Sequence, residues 1–504
     1  MQDVVVMARK LGIRYVWIDA VCIIQDDKED WALEAPLMAR LYRESALTLS
    51  ISTALDDNGS AFITTRPPAD LPFKHPHNAK TSDFFVRIAP SHDVPDRLYN
   101  VRGSGGPALT GKDSRAAVAQ KHPVFARGWC FQERLLSRRV LHYTADEFVW
   151  QCQSATWCEC GAASYNYLAS SWPRIHTIHK GSLPAPDLPP LSFEDWRRLV
   201  HAFSWNALTF DSDVFPAISG LAHAYQDKVG RFVTGRYLAG HWEADLPHSL
   251  LWHSLDARDF IYLLTGTSVT MINSRRSPDV APSWSWASMK GPVHWPTEGI
   301  FAVVNEYESG RAGLEVEYAE VQARCTLKTA DEMGQLAGEG QLTVKTRVVQ
   351  EVLSEFLNFS SELVWWVKEP PYDDVLYASK LAGGKEAYMS VFLDTVEDKN
   401  RWRDNNVWFA RLCKVTRAED AELGEGAIKW RRRTGTVALM LHRRDDGKFR
   451  RVGIATSPRK RINEVDVGVL AQEVGDAKEM IDGPADSAFD EWFDSVEDTE
   501  ICII

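Results

Sequence analysis

The stretch from Tyr15 to Thr53 constrains the fold more than any other part of the chain. A short apolar run, Tyr15-Val16-Trp17-Ile18, stops at Asp19, and a second, Val21 to Ile24, stops at Gln25. The charged cluster Asp26-Asp27-Lys28-Glu29-Asp30 follows, and then Trp31, Met38, Leu41 and Tyr42 recur at helical spacing. Leu47 to Ile51 alternates as a strand does. The pattern predicts a strand–helix–strand unit of an open α/β sheet, with the Tyr15–Ile18 and Leu47–Ile51 strands as parallel neighbours and the Trp31–Ala46 segment crossing between them. Ligands of such sheets collect at the carboxyl ends of the strands, where Asp19 falls.

Later segments extend the pattern. Residues 127–150 read RGWCFQERLLSRRVLHYTADEFVW, and WRRLVHAFSWNALTFDSDVFPAISGLA (196–222), GRYLAGHW (235–242) and APSWSWAS (281–288) follow in order. Together with WIDAVCIIQDD at 17–27, these blocks resemble the fungal heterokaryon-incompatibility (HET) domain and the segments that commonly follow it. The resemblance implies an open sheet like that of the Toll/interleukin-1 receptor (TIR) fold. It also implies an effector role in nonself recognition and programmed cell death, in the cytoplasm of a fungus. The family's usual opening strand has no counterpart before Tyr15, so the domain is expected to be incomplete at its N-terminal side. Two departures touch the later blocks: Asn206 stands where Arg is common, and His241 where an apolar residue is usual.

Some TIR-like proteins hydrolyse NAD with a glutamate in a Trp-Cys-x-x-Glu helix segment, and Trp31-Ala32-Leu33-Glu34 is similar, one residue shorter and without the Cys. The resemblance therefore implies Glu34 as the catalytic carboxylate, with NAD as substrate and no bound cofactor. A carboxylate there would stabilise an oxocarbenium-like ribosyl centre. A second reading makes Glu34 a first-turn acid favoured by the helix dipole. A third starts the helix at Pro36, as its first residue, and leaves Glu34 in the approach loop.

Asp19, Gln25, Trp31, Gln132 and Glu133 are the candidate ligand-binding residues. For Asp19 the alternative is a turn held by backbone N–H groups; for Glu133 it is an ion pair with Arg134 or Arg138. The apolar stripe of the crossover helix, Met38, Leu41 and Tyr42, is expected on the sheet, and Trp129 and Val140–Tyr143 in the same core.

Composition bounds the rest. With 504 residues and 45% hydrophobic content the chain can bury more than one core. The expected divisions are a HET-like α/β domain over 1–150, a mixed helical region over 151–295, a β-rich domain over 296–470 and an acidic tail over 471–504. Within the β-rich part, Val437–Leu441 and Phe449–Ile454 around Asp445-Asp446-Gly447 predict a hairpin. From Asp482 onward the tail has eight acids and no Lys or Arg, and Phe489, Trp492, Phe493 and Val496 predict a short amphipathic helix.

The net charge of -12 argues against nucleic-acid partners. No apolar run of spanning length occurs, so no membrane span is expected. Eight Cys show no secreted-scaffold pattern. His142, Cys152, Cys158 and Cys160 lack the paired spacing of a zinc site, so no metal is expected. Lys429-Trp430-Arg431-Arg432-Arg433 reads as a solvated segment or as an anion or import patch. Partners are expected among other incompatibility or signalling proteins. The alternative to an effector enzyme is a non-enzymatic module that signals by self-association.

Overall fold

A computed structural model describes residues 1–52, 71–73, 84–86, 123–144, 147–152, 155–159, 164–166, 190–254, 274–295, 314–352, 354–357, 375–380, 386–395, 406–417, 434–456 and 492–504. The predicted loops at 66–82 and 102–114, Cys160, the 429–433 run, the expected strand at 363–367 and Phe489 lie outside these residues, wholly or largely. The chain is a mixed helix-and-strand protein with several sheets. It divides into two compact units, one formed by Met1–Val233 with Leu264–Val269 and Met333–Gln335, the other by Thr234–Leu263, Thr270–Glu332 and Leu336–Ile504. The described part of 190–233 thus belongs with the N-terminal residues, whereas the sequence placed a boundary at 150.

The first unit contains helices α1 (Gln2–Lys10), α2 (Asp19–Cys22), α3 (Lys28–Glu44), α4 (Gly128–Leu136), α5 (Phe193–Ser204) and α6 (Pro216–Val229). Its five-stranded sheet runs in the order β1 (Thr48–Ile51), β2 (Arg139–Tyr143), β3 (Phe148–Cys152), β4 (Ala155–Cys158), β5 (Ser164–Asn166). β1 and β2 are parallel, Thr48 opposite Val140 and Ile51 opposite Tyr143; every later pair is antiparallel. Four residues join β2 to β3 and two join β3 to β4, connections that only antiparallel neighbours permit. α1 buries Met7 against Tyr143, Leu49, Ile51, Leu141 and Phe148.

Three expectations are corrected here. Residues 15–18 form no strand, so the predicted pairing of Tyr15–Ile18 with Leu47–Ile51 is absent, and the parallel partner of β1 is β2. The physical reason is where its side chains go: Trp17 packs edge-on against Tyr42, with centroids 5.8 Å apart, while Tyr15 is 85% exposed. Next, α3 begins at Lys28, capped by Asp27 accepting from the N–H groups of Glu29 and Asp30, and Pro36 lies inside it. That cap fixes the start of the helix about two turns before Pro36, so the proline lies within α3 rather than at its first position. Finally, α3 packs chiefly on α4 and α6 rather than crossing over the sheet. Met38 is buried there, but Leu41 is exposed.

In the second unit a ten-stranded sheet is built from β6 (Leu314–Tyr318), β7 (Glu320–Arg324), β8 (Gln341–Val352), β9 (Ser354–Leu357), β10 (Val375–Lys380), β11 (Glu386–Leu393), β12 (Asn406–Arg417), β13 (Thr434–Arg443), β14 (Phe449–Thr456) and β15 (Asp498–Ile503). Five of these strands close a ring: β8 pairs β12, β12 pairs β13, β13 pairs β14, β14 meets β15, and β15 pairs β8. The predicted hairpin is β13–β14, with Gly447 at φ +81° in its turn. Closure removes the sheet edges of those strands, and Val344, Leu439, Leu441, Ile454 and Ile503 are inaccessible. The described end of the chain, 492–504, joins this sheet: helical residues 492–494 lead into β15. Alternating Ile501 and Ile503, both buried, supply the apolar face that draws it into the ring.

Candidate functional site

α2, α3 and α4 bring a polar cluster together in the first unit. Ile18 is extended and Asp19 opens α2, its carboxylate accepting from the N–H of Ala20 at 2.8 Å. Gln25 turns back on this turn, donating from Nε2 to the carbonyls of Asp19 and Ile23, each at 3.0 Å. The side chain of Asp30 accepts from the N–H of Ile24 at 2.8 Å and ties the loop to the first turn of α3.

α4 is placed by backbone contacts. The N–H of Gly128 donates to the carbonyl of Ala207 at 2.8 Å, and that of Ala207 to Ala126 at 2.7 Å. A Cβ on Gly128 would come within 2.3 Å of the Leu208 side chain, which explains the glycine of the Gly-Trp pair. One turn on, Gln132 is buried and its Oε1 accepts from the N–H of Gly220 at 2.7 Å. α3, α4 and α6 meet at that point, for a Cβ on Gly220 would lie 2.4 Å from the Cβ of Ala39. Trp129 donates from Nε1 to Asp213 at 3.0 Å and packs edge-on against Trp31, 6.3 Å between centroids.

Glu133 follows Trp129 by one turn and faces α3. Its carboxylate is hydrogen-bonded by the Tyr42 phenol and the Cys130 thiol. Burial, reinforced by the negative charge of Asp19, pushes Glu133 up to about 7, against the opposing pull of the Tyr42 bond, Arg127 and Cys130. Burial and Glu133 push the Tyr42 phenol up from its ordinary value, so it stays protonated as a donor. The same two causes push the Cys130 thiol well up. A thiol held protonated is a hydrogen-bond donor rather than a nucleophile.

The cluster brings together chemically different groups. Glu133 exchanges a proton near neutrality, the property required of a general acid or base. Asp19, exposed beside it, is a second carboxylate in a different environment, and such pairs take separate acid–base and charge-stabilising roles. Trp17 and Tyr42 supply an aromatic corner and Arg127 a cation. Tyr42, Glu133 and Trp17 each retain partial exposure, so the cluster borders solvent.

Of the residues singled out in the sequence, Asp19 and Glu133 come together in this cluster. Gln25 and Gln132 spend their polar atoms on backbone groups. Trp31 braces Trp129. Glu34 lies on α3, partly buried, and the charges that act on Glu133 come from Asp19 and Arg127. Tyr42, Cys130 and Arg127 were not singled out as site residues. Their signal is the spacing Arg127, Cys130, Glu133, which is one helical face at three-residue steps, and the position of Tyr42 one turn after buried Met38. Among the described residues no group of three or more His, Cys, Asp or Glu is placed to hold a metal ion.

The second unit holds a different polar cluster, largely buried. Arg451 is inaccessible and reaches Asp394 at 3.4 Å, while Arg275 reaches the same oxygen at 2.6 Å. The Arg451 guanidinium lies 3.5 Å over the Trp252 ring and donates to the carbonyls of Leu250, at 2.8 Å, and Trp252. The later sequence blocks pack beside it. Trp286 donates to the Gly240 carbonyl at 2.9 Å, Ser285 to Ala239 at 2.6 Å, and Trp252 to Trp284 at 3.1 Å. At φ +92°, Gly240 sits so close to Trp286 that a Cβ would be 2.4 Å from its Nε1. GRYLAGHW and APSWSWAS therefore interlock as a core. Asn206, in the first unit, caps α5 by donating to Ala202 and Phe203 carbonyls.

The family model described as Heterokaryon incompatibility protein (HET) matches residues 1–133. The matched stretch contains Trp17, Asp19, Tyr42, Arg127, Cys130 and Glu133. No curated protein and no solved structure shows a significant match to the chain.

Proposed function

We propose that the protein is an effector of the heterokaryon-incompatibility type, acting in fungal nonself recognition and programmed cell death, and that its N-terminal unit cleaves NAD at the nicotinamide–ribose bond. The HET match supports the family role. One observation carries the chemistry: Glu133, held at about 7, sits beside Asp19 within reach of Tyr42. In the step envisaged, the C1′–N bond breaks and its electron pair neutralises the pyridinium nitrogen, so nicotinamide leaves without needing a proton. The Asp19 carboxylate stabilises the oxocarbenium-like ribose. Water adds at C1′ and gives its proton to Glu133.

This reading moves the key carboxylate from Glu34 to Glu133. The Glu34 assignment leaned on a TIR-like crossover between paired parallel strands, and residues 15–18 make no such pair. A cytoplasmic setting fits the reading, and no helix among the described residues is long and apolar enough to cross a membrane. The deciding experiment incubates the purified full chain with NAD and measures nicotinamide release. Turnover that falls at least about a hundredfold in Glu133→Gln, but within about threefold of wild type in Glu34→Gln, supports the assignment. No release by the wild type, or equal turnover in Glu133→Gln, overturns it.

A further inference from the structure

Helix α3 has two apolar sides. One faces the protein, with Trp31 against Trp129, Ala39 against Gly220 and Tyr42 against Glu133. The other carries Leu33, 71% exposed, Leu37, 47% exposed, and Leu41, 37% exposed, at positions i, i+4 and i+8. Ile24, 57% exposed, is tied to the first turn of α3 through Asp30 and extends the stripe at that end. Scattered exposed leucines need no explanation, but an aligned run along one helix marks an interaction surface.

The charges beside the stripe indicate its occupant. Glu29 lies near the N-terminal end and Arg40 and Arg43 near the C-terminal end, all exposed and all on the same flank at 100° per residue. Arg40 pairs with Glu44 at 3.0 Å within the helix, while Arg43 stands 3.9 Å from Asp227 and is the cation open to a closer partner. A face that is acidic at one end and basic at the other complements its own copy when the two helices run antiparallel. Such an arrangement is isologous, the symmetry of most homodimers. We propose that this face of α3 is a homodimer interface, with a twofold axis passing near Leu37. Leu33 then meets Leu41 of the second copy, and Glu29 meets Arg43 of the second copy. Four side chains fall short of the ~800 Å² per partner of a standard interface, so the dimer is weak and concentration-dependent. Asp19 and Glu133 belong to another surface of the helical layer, and the inference stands or falls independently of NAD cleavage.

Sedimentation velocity of the full chain, from micromolar to submillimolar concentration at low salt, tests it. Wild type is expected to shift from monomer toward dimer. Leu37→Asp is expected to weaken association by about tenfold or more, ~1.4 kcal/mol. Glu29→Arg and Arg43→Glu should each weaken it, and the double variant should recover to within about threefold of wild type, since each copy then carries the swapped pair. Leu37→Cys should give a disulfide-linked dimer on mild oxidation. Circular dichroism confirms that each variant is folded, and the charge swap remains decisive if Leu37→Asp is not. A wild-type chain that stays monomeric at submillimolar concentration overturns the proposal. So does a double variant no better than its singles, or a folded Leu37→Asp that dimerises as wild type does.

Discussion

The phenol of Tyr42 hydrogen-bonds the carboxylate of Glu133, joining α3 to α4 at the edge of the first unit. This bond lowers the proton affinity of Glu133, whereas Asp19 raises it. Substitutions at the two positions should therefore move Glu133 in opposite directions. Tyr42→Phe is expected to raise it above about 7 and Asp19→Asn to lower it, each by roughly one pH unit. Carbon-detected NMR titration of labelled glutamate reads both shifts without requiring turnover.

If Glu133 accepts the proton of water, NAD cleavage needs its ionised form. Turnover should rise with pH through about 7, and the midpoint should follow the shifts produced by Tyr42→Phe and Asp19→Asn. A pH–rate profile flat from 6 to 8, on the order of one unit either side of neutrality, would exclude Glu133 as the base.

The same group links pH to stability. Its folded value lies above the ordinary 4.5, so between about 4.5 and 7 the folded state binds more protons than the unfolded state. Its contribution is fully present below 4.5 and is lost as pH rises through about 7. The loss is on the order of 2–3 kcal/mol. Glu133→Gln, which is neutral at every pH, should remove that decline from urea-unfolding curves of the first unit.

Buried histidines give the second unit the opposite sign. Burial, with Arg451 nearby, holds His241 down at about 3, and burial holds His253 down at about 4. Both are neutral when folded yet take up protons near 6.5 when unfolded. Their contribution is present above 6.5 and is lost as pH falls toward 4 and 3. Melting monitored by tryptophan fluorescence should show the second unit weakening from pH 6.5 to 5, and His253→Gln should flatten that slope.

Packing at Gly220 sets a steric prediction. Gly220→Ala places a methyl 2.4 Å from Ala39 and 2.9 Å from the Gln132 oxygen, and is expected to cost about 2–3 kcal/mol in chemical denaturation. Ala39→Gly in the same chain should recover part of the loss, because it opens the nearer contact.

Two later helices of the first unit were legible because apolar periodicity and end signals are local, whereas α2 and α4 were not read as helices from the sequence. Phe193–Ser204 and Pro216–Val229 carry both, and α5 opens with a Ser192/Asp195 capping box. Tyr15–Ile18 was misread because an apolar run says that side chains are buried, not by what. Trp17 goes to a helix, and no neighbouring strand offers the run hydrogen bonds. Asp19 and Glu133 were legible as polar residues within apolar blocks. Tyr42 was hidden because a tyrosine at helical spacing reads as packing, while its hydroxyl meets Glu133 from ninety residues away in sequence. Ring closure in the second unit was equally hidden, since nothing local to residues 498–503 reveals that they pair with residues 342–347.

That last pairing has a consequence for biosynthesis. β8 is made early and its partner β15 more than a hundred residues later, with β12, β13 and β14 emerging between them. The ring cannot close on the ribosome while residues 498–503 are still in the exit tunnel. Until then β8 waits with a bare hydrogen-bonding edge along 342–347, whereas β14 is already paired by β11 and β13 and meets β15 only at Phe449. A nascent chain stalled or cut before residue 498 should therefore leave that edge of β8 unpaired and be a chaperone client.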